Sequence, residues 1–180
     1  MGGDKSNKNA GFSLVELIVA VLIMAILAGG AIMAFTRVYN ARTERAAGTC
    51  ASIMKRARQK ALSMDSETID VYAEFTLDSG TYWGKIYCGS DEVASEKIGN
   101  DSLQLNFTNH LGASSGQIVS DSKKVCVFFK KSTGGIDKVE VISGSSHTID
   151  VGVDQLVISG SGDTMTVIIG KVTGRCYIAE

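Results

Sequence analysis

Proline is absent from all 180 residues, so nothing obliges a kink or a break in any helix the chain forms. A charge surplus is missing too. The 18 Lys and Arg stand against 19 Asp and Glu, for a formal net charge of −1, which excludes an overall basic field for gripping nucleic acid. Paired Cys-x-x-Cys spacings do not occur. Cys50, Cys88, Cys126 and Cys176 are 38, 38 and 50 residues apart, and that excludes the compact thiolate metal pattern. At 19.0 kDa the chain is too short for a large multidomain enzyme and long enough for one modest domain plus an export or membrane segment. With 44% hydrophobic residues and 20 glycines, it is neither a disordered charged tail nor a proline-rich linker.

What is present is unevenly spread. From Leu17 to Thr36 the run LIVAVLIMAILAGGAIMAFT holds 20 positions without a charge. At ~1.5 Å per residue it spans ~30 Å, the thickness of a bilayer's hydrocarbon core. The run predicts a membrane helix; a buried core helix is usually shorter and shows a polar face. A cleaved secretory signal needs a shorter apolar block ending in small residues, whereas this one passes into helix-favouring RVYNARTERAA. Lys5 and Lys8 in the polar leader favour a cytoplasmic N-terminus, and Arg37, Arg42 and Arg45 beyond the run oppose it, so charge alone leaves orientation open. The start Met1-Gly2-Gly3-Asp4-Lys5-Ser6 fits an N-myristoylation pattern, but one acyl chain adds little to a spanning helix.

The most informative stretch is Gly11-Phe12-Ser13-Leu14-Val15-Glu16. An acid at the edge of an uninterrupted apolar helix costs ~2.5–3.5 kcal/mol at the bilayer centre, less near the interface, and calls for a cation. Cleavage after Gly11 would give Phe12 a new α-amine one helical turn from Glu16, able to pair with that carboxylate in the same or an adjacent subunit. GFSLVELIVAVLIMAILAG closely resembles the class III signal of type IV pilins and of the pseudopilins of type II secretion. The resemblance implies that Gly11 ends a leader removed by prepilin peptidase and that Phe12 becomes an N-methylated N-terminus. It also implies that Glu16 matches a neighbour's terminal charge during filament assembly. Many pilins carry a proline about two-thirds through the apolar segment, near Met33; here Gly29-Gly30 could supply a bend, or the helix stays straight.

Beyond the apolar run, Tyr39, Thr43, Ala46, Cys50, Ile53, Ala57, Ala61 and Met64 recur at intervals of three or four, which puts them on one helical face. Phe12 to Met64 is 53 residues, ~80 Å if helical throughout. Charge is segregated: residues 37–60 carry seven bases and one acid, residues 61–180 nine bases and 16 acids. The basic helical face is either solvated or turned toward acidic subunit surfaces or lipid head groups.

From Thr68 the period becomes alternating. Strands are expected at 68–76, 81–88, 103–108, 124–130, 136–142, 148–153, 164–169 and 175–178, with turns at Asp78-Ser79-Gly80, Thr133-Gly134-Gly135, 143–146 and Ser161-Gly162-Asp163. No internal repeat is apparent. The fold class is α+β: a long N-terminal α-helix, one half membrane-spanning and the other amphipathic, packed on an antiparallel β-sheet head. Pilin-like subunits share that plan, and the closing GKVTGRCYI is similar to the C-terminal strands of minor pilins and H-type pseudopilins. The expected division is leader 1–11, assembly helix 12–36, amphipathic helix 37–64 and β head 65–180.

If the head lies outside the cell, one or two disulfides among Cys50, Cys88, Cys126 and Cys176 are expected, with three complete pairings open; buried free thiols are the alternative. Gly112-Ala113-Ser114-Ser115-Gly116 formally satisfies G-x-S-x-G and His110 is near, but a nucleophile elbow needs a strand before the serine and a helix after it. His147 sits beside a Ser/Gly turn without a ligand cluster, and reads as a solvated loop histidine. Gly160-Ser161-Gly162 lacks the strand-to-helix context of a phosphate loop. Tyr82 and Trp83 read as sheet packing. The expectation is therefore a non-enzymatic filament subunit without cofactor or metal. Its expected partners are prepilin peptidase, other pilin or pseudopilin subunits, the inner-membrane assembly machinery and the membrane, and nucleic acid is not indicated. It would be a single-pass membrane protein, leader in the cytoplasm and head outside, until assembled into a surface or periplasmic filament. The competing expectation is a membrane-anchored binding module that does not polymerise.

Overall fold

The structure, a computed structural model, describes residues 13–65, 68–109, 116–150, 152–160 and 163–179, without the side chains of 31–36, 39, 117 and 150. The chain divides into two compact units, Met1–Val38 and Tyr39–Glu180.

One helix, α1 (Leu14–Leu62), runs through both. Its end needs neither proline nor glycine. The Ser63 amide donates to the carbonyl oxygen of Gln59 (3.1 Å), and Ser63 Oγ donates to that of Lys60 (2.8 Å), so a serine takes up carbonyls the last turn leaves open. In the first unit the large apolar side chains from Leu14 to Leu27 are all exposed, around the whole circumference. Among the described residues no helix is long and apolar enough to cross a membrane. The span expected at 12–36 therefore remains a matter of sequence, since Phe12 and the side chains of 31–36 lie outside the described set.

In the second unit α1 covers two antiparallel sheets. Sheet A joins β1 (Val71–Asp78), β2 (Thr81–Cys88), β3 (Asp91–Asn100), β6 (Lys123–Phe129), β7 (Ile136–Ser143) and β8 (Ser146–Asp150) in the order β3-β2-β1-β6-β7-β8. Sheet B joins β4 (Gln104–Thr108), β5 (Gln117–Ile118), β9 (Gln155–Ser159), β10 (Thr164–Ile169) and β11 (Cys176–Ala179) in the order β11-β10-β9-β4-β5. Thr43, Ala46, Cys50, Ile53, Ala57 and Ala61 are buried, as the helical period predicts, and Ala47, Ala51 and Met54 join them. Small side chains on this face let the helix approach closely. A Cβ on Gly84 of β2 would collide with Ile53 Cδ1, so the glycine makes the seat for the isoleucine. Phe75, Phe107, Leu105, Leu156 and Ile158 complete one core shared by both sheets.

Three strands escape the alternating pattern. The acidic edge strand β3, DEVASEKIGN, forms by pairing with β2 through two register shifts, although its sequence has no apolar face. β5 is two residues long. β9 is the centre of sheet B but offers only Leu156-Val157-Ile158 as an apolar signal. β8 starts two residues before its expected position and carries His147, which is therefore an exposed strand residue and not a loop one.

Although the chain carries no repeated unit, two of its turns share one geometry. The β6–β7 and β10–β11 turns are built alike on Lys131-Ser132-Thr133-Gly134 and Lys171-Val172-Thr173-Gly174. In each, the glycine has positive φ (68° and 61°) and its amide donates four residues back, Gly134 to the Lys130 carbonyl (2.7 Å) and Gly174 to the Gly170 carbonyl (2.6 Å). Each threonine Oγ1 accepts from the amide two residues on, Gly135 at 3.1 Å and Arg175 at 3.4 Å. The turns meet: the Ile136 amide donates to the Lys171 carbonyl (2.8 Å), and a Cβ on Gly174 would strike the Gly134 carbonyl oxygen. Glycine at 174 is thus required both by φ and by space.

Candidate functional site

Gly11 and Phe12, the expected cleavage and methylation positions, lie outside the described residues. Immediately after them Ser13 acts as the N-cap of α1. Its Oγ accepts from the Glu16 amide (3.3 Å) and its carbonyl accepts from the Leu17 amide (3.2 Å). Ser-x-x-Glu is the capping-box spacing, a second meaning of Ser13 and Glu16 that the apolar context obscures in the sequence. Glu16 is the acid of the first turn, where the helix dipole favours a carboxylate. Its side chain is exposed, and among the described residues it has no ion-pair partner. The first turn therefore presents one charge at the mouth of an otherwise apolar rod.

In the structure Cys50, Cys88, Cys126 and Cys176 are all free, the arrangement left open beside disulfides. The fold sends them to separate places. Cys50 lies in the core under α1, and burial pushes its thiol pKa well up. Cys126 faces the opposite side of sheet A, where its Sγ donates to Glu74 Oε2 (3.8 Å); burial, then the Glu74 charge, push it up to about 12. Cys176 donates to the Gly174 carbonyl (3.5 Å), and burial pushes it up to about 11. Cys88 sits beside Met64 Sδ at 3.9 Å. High thiol pKa values and burial make the first three poor nucleophiles.

The outer face of sheet A carries a constellation the sequence reading passed over. Tyr72 stacks between Tyr87 (centroids 5.1 Å, interplanar 13°) and Phe128 (4.7 Å, 29°), and Lys138 Nζ lies 4.4 Å from the Phe128 centroid. One row along, buried Glu74 accepts from Lys124 Nζ at 2.8 Å, and Lys138 Nζ reaches Glu140 Oε1 at 2.7 Å. Burial, with Cys126 and Glu74 nearby, pushes Tyr72 up to about 12. The signal was available as alternate positions: Tyr72 and Glu74 on β1, Cys126 and Phe128 on β6. Tyr72 carries a ring on each face, so the stack rigidifies the sheet.

Nothing assembles a catalytic centre among the described residues. His110 and 112–115 of the G-x-S-x-G match lie outside them, as do Ser161 and Gly162. Tyr82 is buried, donating to the Val119 carbonyl (3.3 Å), and Trp83 faces outward, partly covered. No group of three or more metal-ligating side chains occurs among the described residues.

A long N-terminal helix on antiparallel sheets defines the class: an α+β protein of pilin-like fold. Residues 6–32 match the prokaryotic N-terminal methylation motif, the class III signal characteristic of type IV pilins and pseudopilins. No curated protein and no solved structure matches the chain.

Proposed function

We propose that this chain is a prepilin: a structural subunit cut by prepilin peptidase after Gly11, N-methylated at Phe12, and assembled through its apolar helix into a type IV pilus or a pseudopilus. The observation that carries the reading is the junction Gly11-Phe12-Ser13-Leu14-Val15-Glu16, inside the matched motif and ahead of an apolar run. An all-round apolar helix is unstable in water and finds burial either in lipid or among identical helices. Transfer between those two surroundings is nearly neutral for aliphatic side chains, so register must come from something polar. Glu16 supplies it by pairing with the ammonium of a neighbour's Phe12; leaving a desolvated charge unpaired costs several kcal/mol.

In this reading residues 1–11 are the cytoplasmic leader, 12–36 the membrane and assembly segment, 37–64 the amphipathic helix, and 65–180 the head outside the cytoplasm. The same surfaces would serve an anchored binding module that never polymerises, and one substitution separates the two. Glu16→Ala should still be cleaved and reach the membrane, yet drop out of sheared surface filaments. Normal filament entry by that variant would refute the pairing. N-terminal sequencing that finds the leader intact on the mature chain would refute the prepilin reading as a whole.

A further inference from the structure

The positive charges after the apolar run stand on the wrong side for a chain with a cytoplasmic leader. Arg37, Arg42 and Arg45 follow Thr36, and the positive-inside tendency works against cations there. The remainder of the head has the other sign, nine bases against 16 acids over residues 61–180. Cations kept in such a place call for a use. In the structure Arg42 and Arg45 are exposed, one turn apart on α1, and exposed Lys97 of the edge strand β3 joins them around one open pocket of about 310 Å³.

The base of this pocket is fixed and its charge has one sign. Ile98 and Leu103 line it from the buried core, and a Cβ on Gly99 would collide with Leu103 Cδ1. Among the described residues no acid lines it. Glu96, beside Lys97 in sequence, is paired with Arg56 at 3.2 Å. The Asp101 carboxylate lies against Gly80, 3.5 Å from the point a Cβ would occupy there. Glu44 leaves the helix ~100° round from Arg45 and ~160° from Arg42. Three cations lining one pocket suit a phosphodiester, which guanidinium groups bind through paired N–H donors. They do not suit a zwitterionic head group, whose ammonium would meet like charge there.

We infer that Arg42, Arg45 and Lys97 hold the phosphate of an anionic phospholipid from the leaflet around the apolar segment. The two arginines come six and nine residues after Thr36, and that length of helix rises ~9–14 Å. The head-group layer outside the hydrocarbon is ~5–8 Å deep. Helical side chains lean toward the N-terminus, here the side of the apolar run, and long arginine stems carry their charge back to that layer. The lipid ties the head to the membrane surface while the subunit waits there, and leaving for a filament requires giving it up. This inference rests on the membrane segment of the prepilin reading and adds the ligand of the helix that follows it.

The test uses the full-length chain in maltoside micelles, with native mass spectrometry after addition of phosphatidylglycerol or phosphatidylcholine. One phosphatidylglycerol should be retained per chain, in preference to phosphatidylcholine by about tenfold or more. Arg42→Gln, Arg45→Gln and Lys97→Gln together should abolish that preference at an unchanged urea midpoint. Lys55→Gln, Lys60→Gln and Lys131→Gln together, the same loss of charge outside the pocket, should keep it. Equal retention of the two lipids by the parent chain would overturn the inference, as would a preference that survives in the first triple variant or is lost in both. Full displacement of the lipid by millimolar inorganic phosphate would make free phosphate the ligand and overturn it too. A first triple variant that retains lipid as the parent does, yet drops out of sheared filaments, would assign the cations to an acidic subunit surface instead. The prepilin reading fails separately: a chain that selects phosphatidylglycerol but keeps its leader and never enters filaments refutes that reading and leaves the lipid pocket standing.

Discussion

Arg58, near the end of α1, donates its Nε hydrogen to the carbonyl oxygen of Thr173 at 2.6 Å, across 115 residues of sequence. The bond ties the helix to the β10–β11 turn, while the same guanidinium stem packs beside Gly134 of the β6–β7 turn. One side chain thus holds both K-x-T-G turns to the helix that covers the core.

Arg58→Ala removes a charge-assisted hydrogen bond and the stem that fills the space beside Gly134, and should destabilise the head by about 1.5–3 kcal/mol. The urea midpoint should fall with an unchanged slope. Arg58→Lys should recover only part of the loss, because an ammonium does not reproduce the guanidinium's planar donor geometry.

Gly84→Ala places a methyl where Ile53 Cδ1 lies, with Ile98 Cδ1 3.3 Å from the same point. Overpacking of this kind costs about 1–3 kcal/mol. Adding Ile53→Val, which withdraws the colliding carbon, should return part of that stability even though Ile53→Val alone is destabilising. A double-mutant cycle in urea then gives a favourable coupling; simple additivity of the two losses would show that the helix does not seat on this glycine.

Lys124→Met leaves the buried Glu74 carboxylate with Cys126, a weak donor, as its remaining hydrogen-bond donor among the described residues. Removing one partner of a fully buried pair costs about 3–5 kcal/mol, but the Lys124 side chain is 40% exposed, so a loss of about 1–2 kcal/mol is expected.

Alkaline pH should loosen the head. Thiols in the unfolded chain ionise near pH 9, whereas Cys176 is held up to about 11 and Cys126 to about 12, chiefly by burial. Above pH 9 the unfolded state therefore binds fewer protons than the native one, and stability present below that pH is lost on the way up. The slope is at most about 1.4 kcal/mol per pH unit for each thiol. Urea midpoints at pH 8, 9.5 and 10.5 should fall progressively, and Cys126→Ala with Cys176→Ala should flatten the decline. At pH 8, alkylation of the native protein followed by mass measurement should find Cys88 modified first, and all four cysteines modified in urea.

Strands β2 and β10 could be read from sequence to the residue, because each alternates apolar and polar positions between strong turn residues. The buried face of α1 was legible for the same reason, at a different period. β3 was not, since an edge strand built of Asp, Glu, Ser and Lys has no apolar rhythm and exists only because β2 offers it a ladder. The choice between disulfides and free thiols was not legible, because compartment and cysteine count say nothing about which side of a sheet a thiol faces: Cys50 and Cys126 lie on opposite sides of sheet A.

The amino-acid order alone settled the features carried by neighbours along the chain: the greasy run, the glycine–phenylalanine–glutamate junction ahead of it, and most strands and bends. Those depend on backbone sterics and side-chain polarity within a few residues. Folding in three dimensions decided that two remote K-x-T-G turns would abut under one arginine, and that two sheets and not one would share the core. Such arrangements depend on strand register and close packing between segments far apart in the chain, which short-range preferences do not specify.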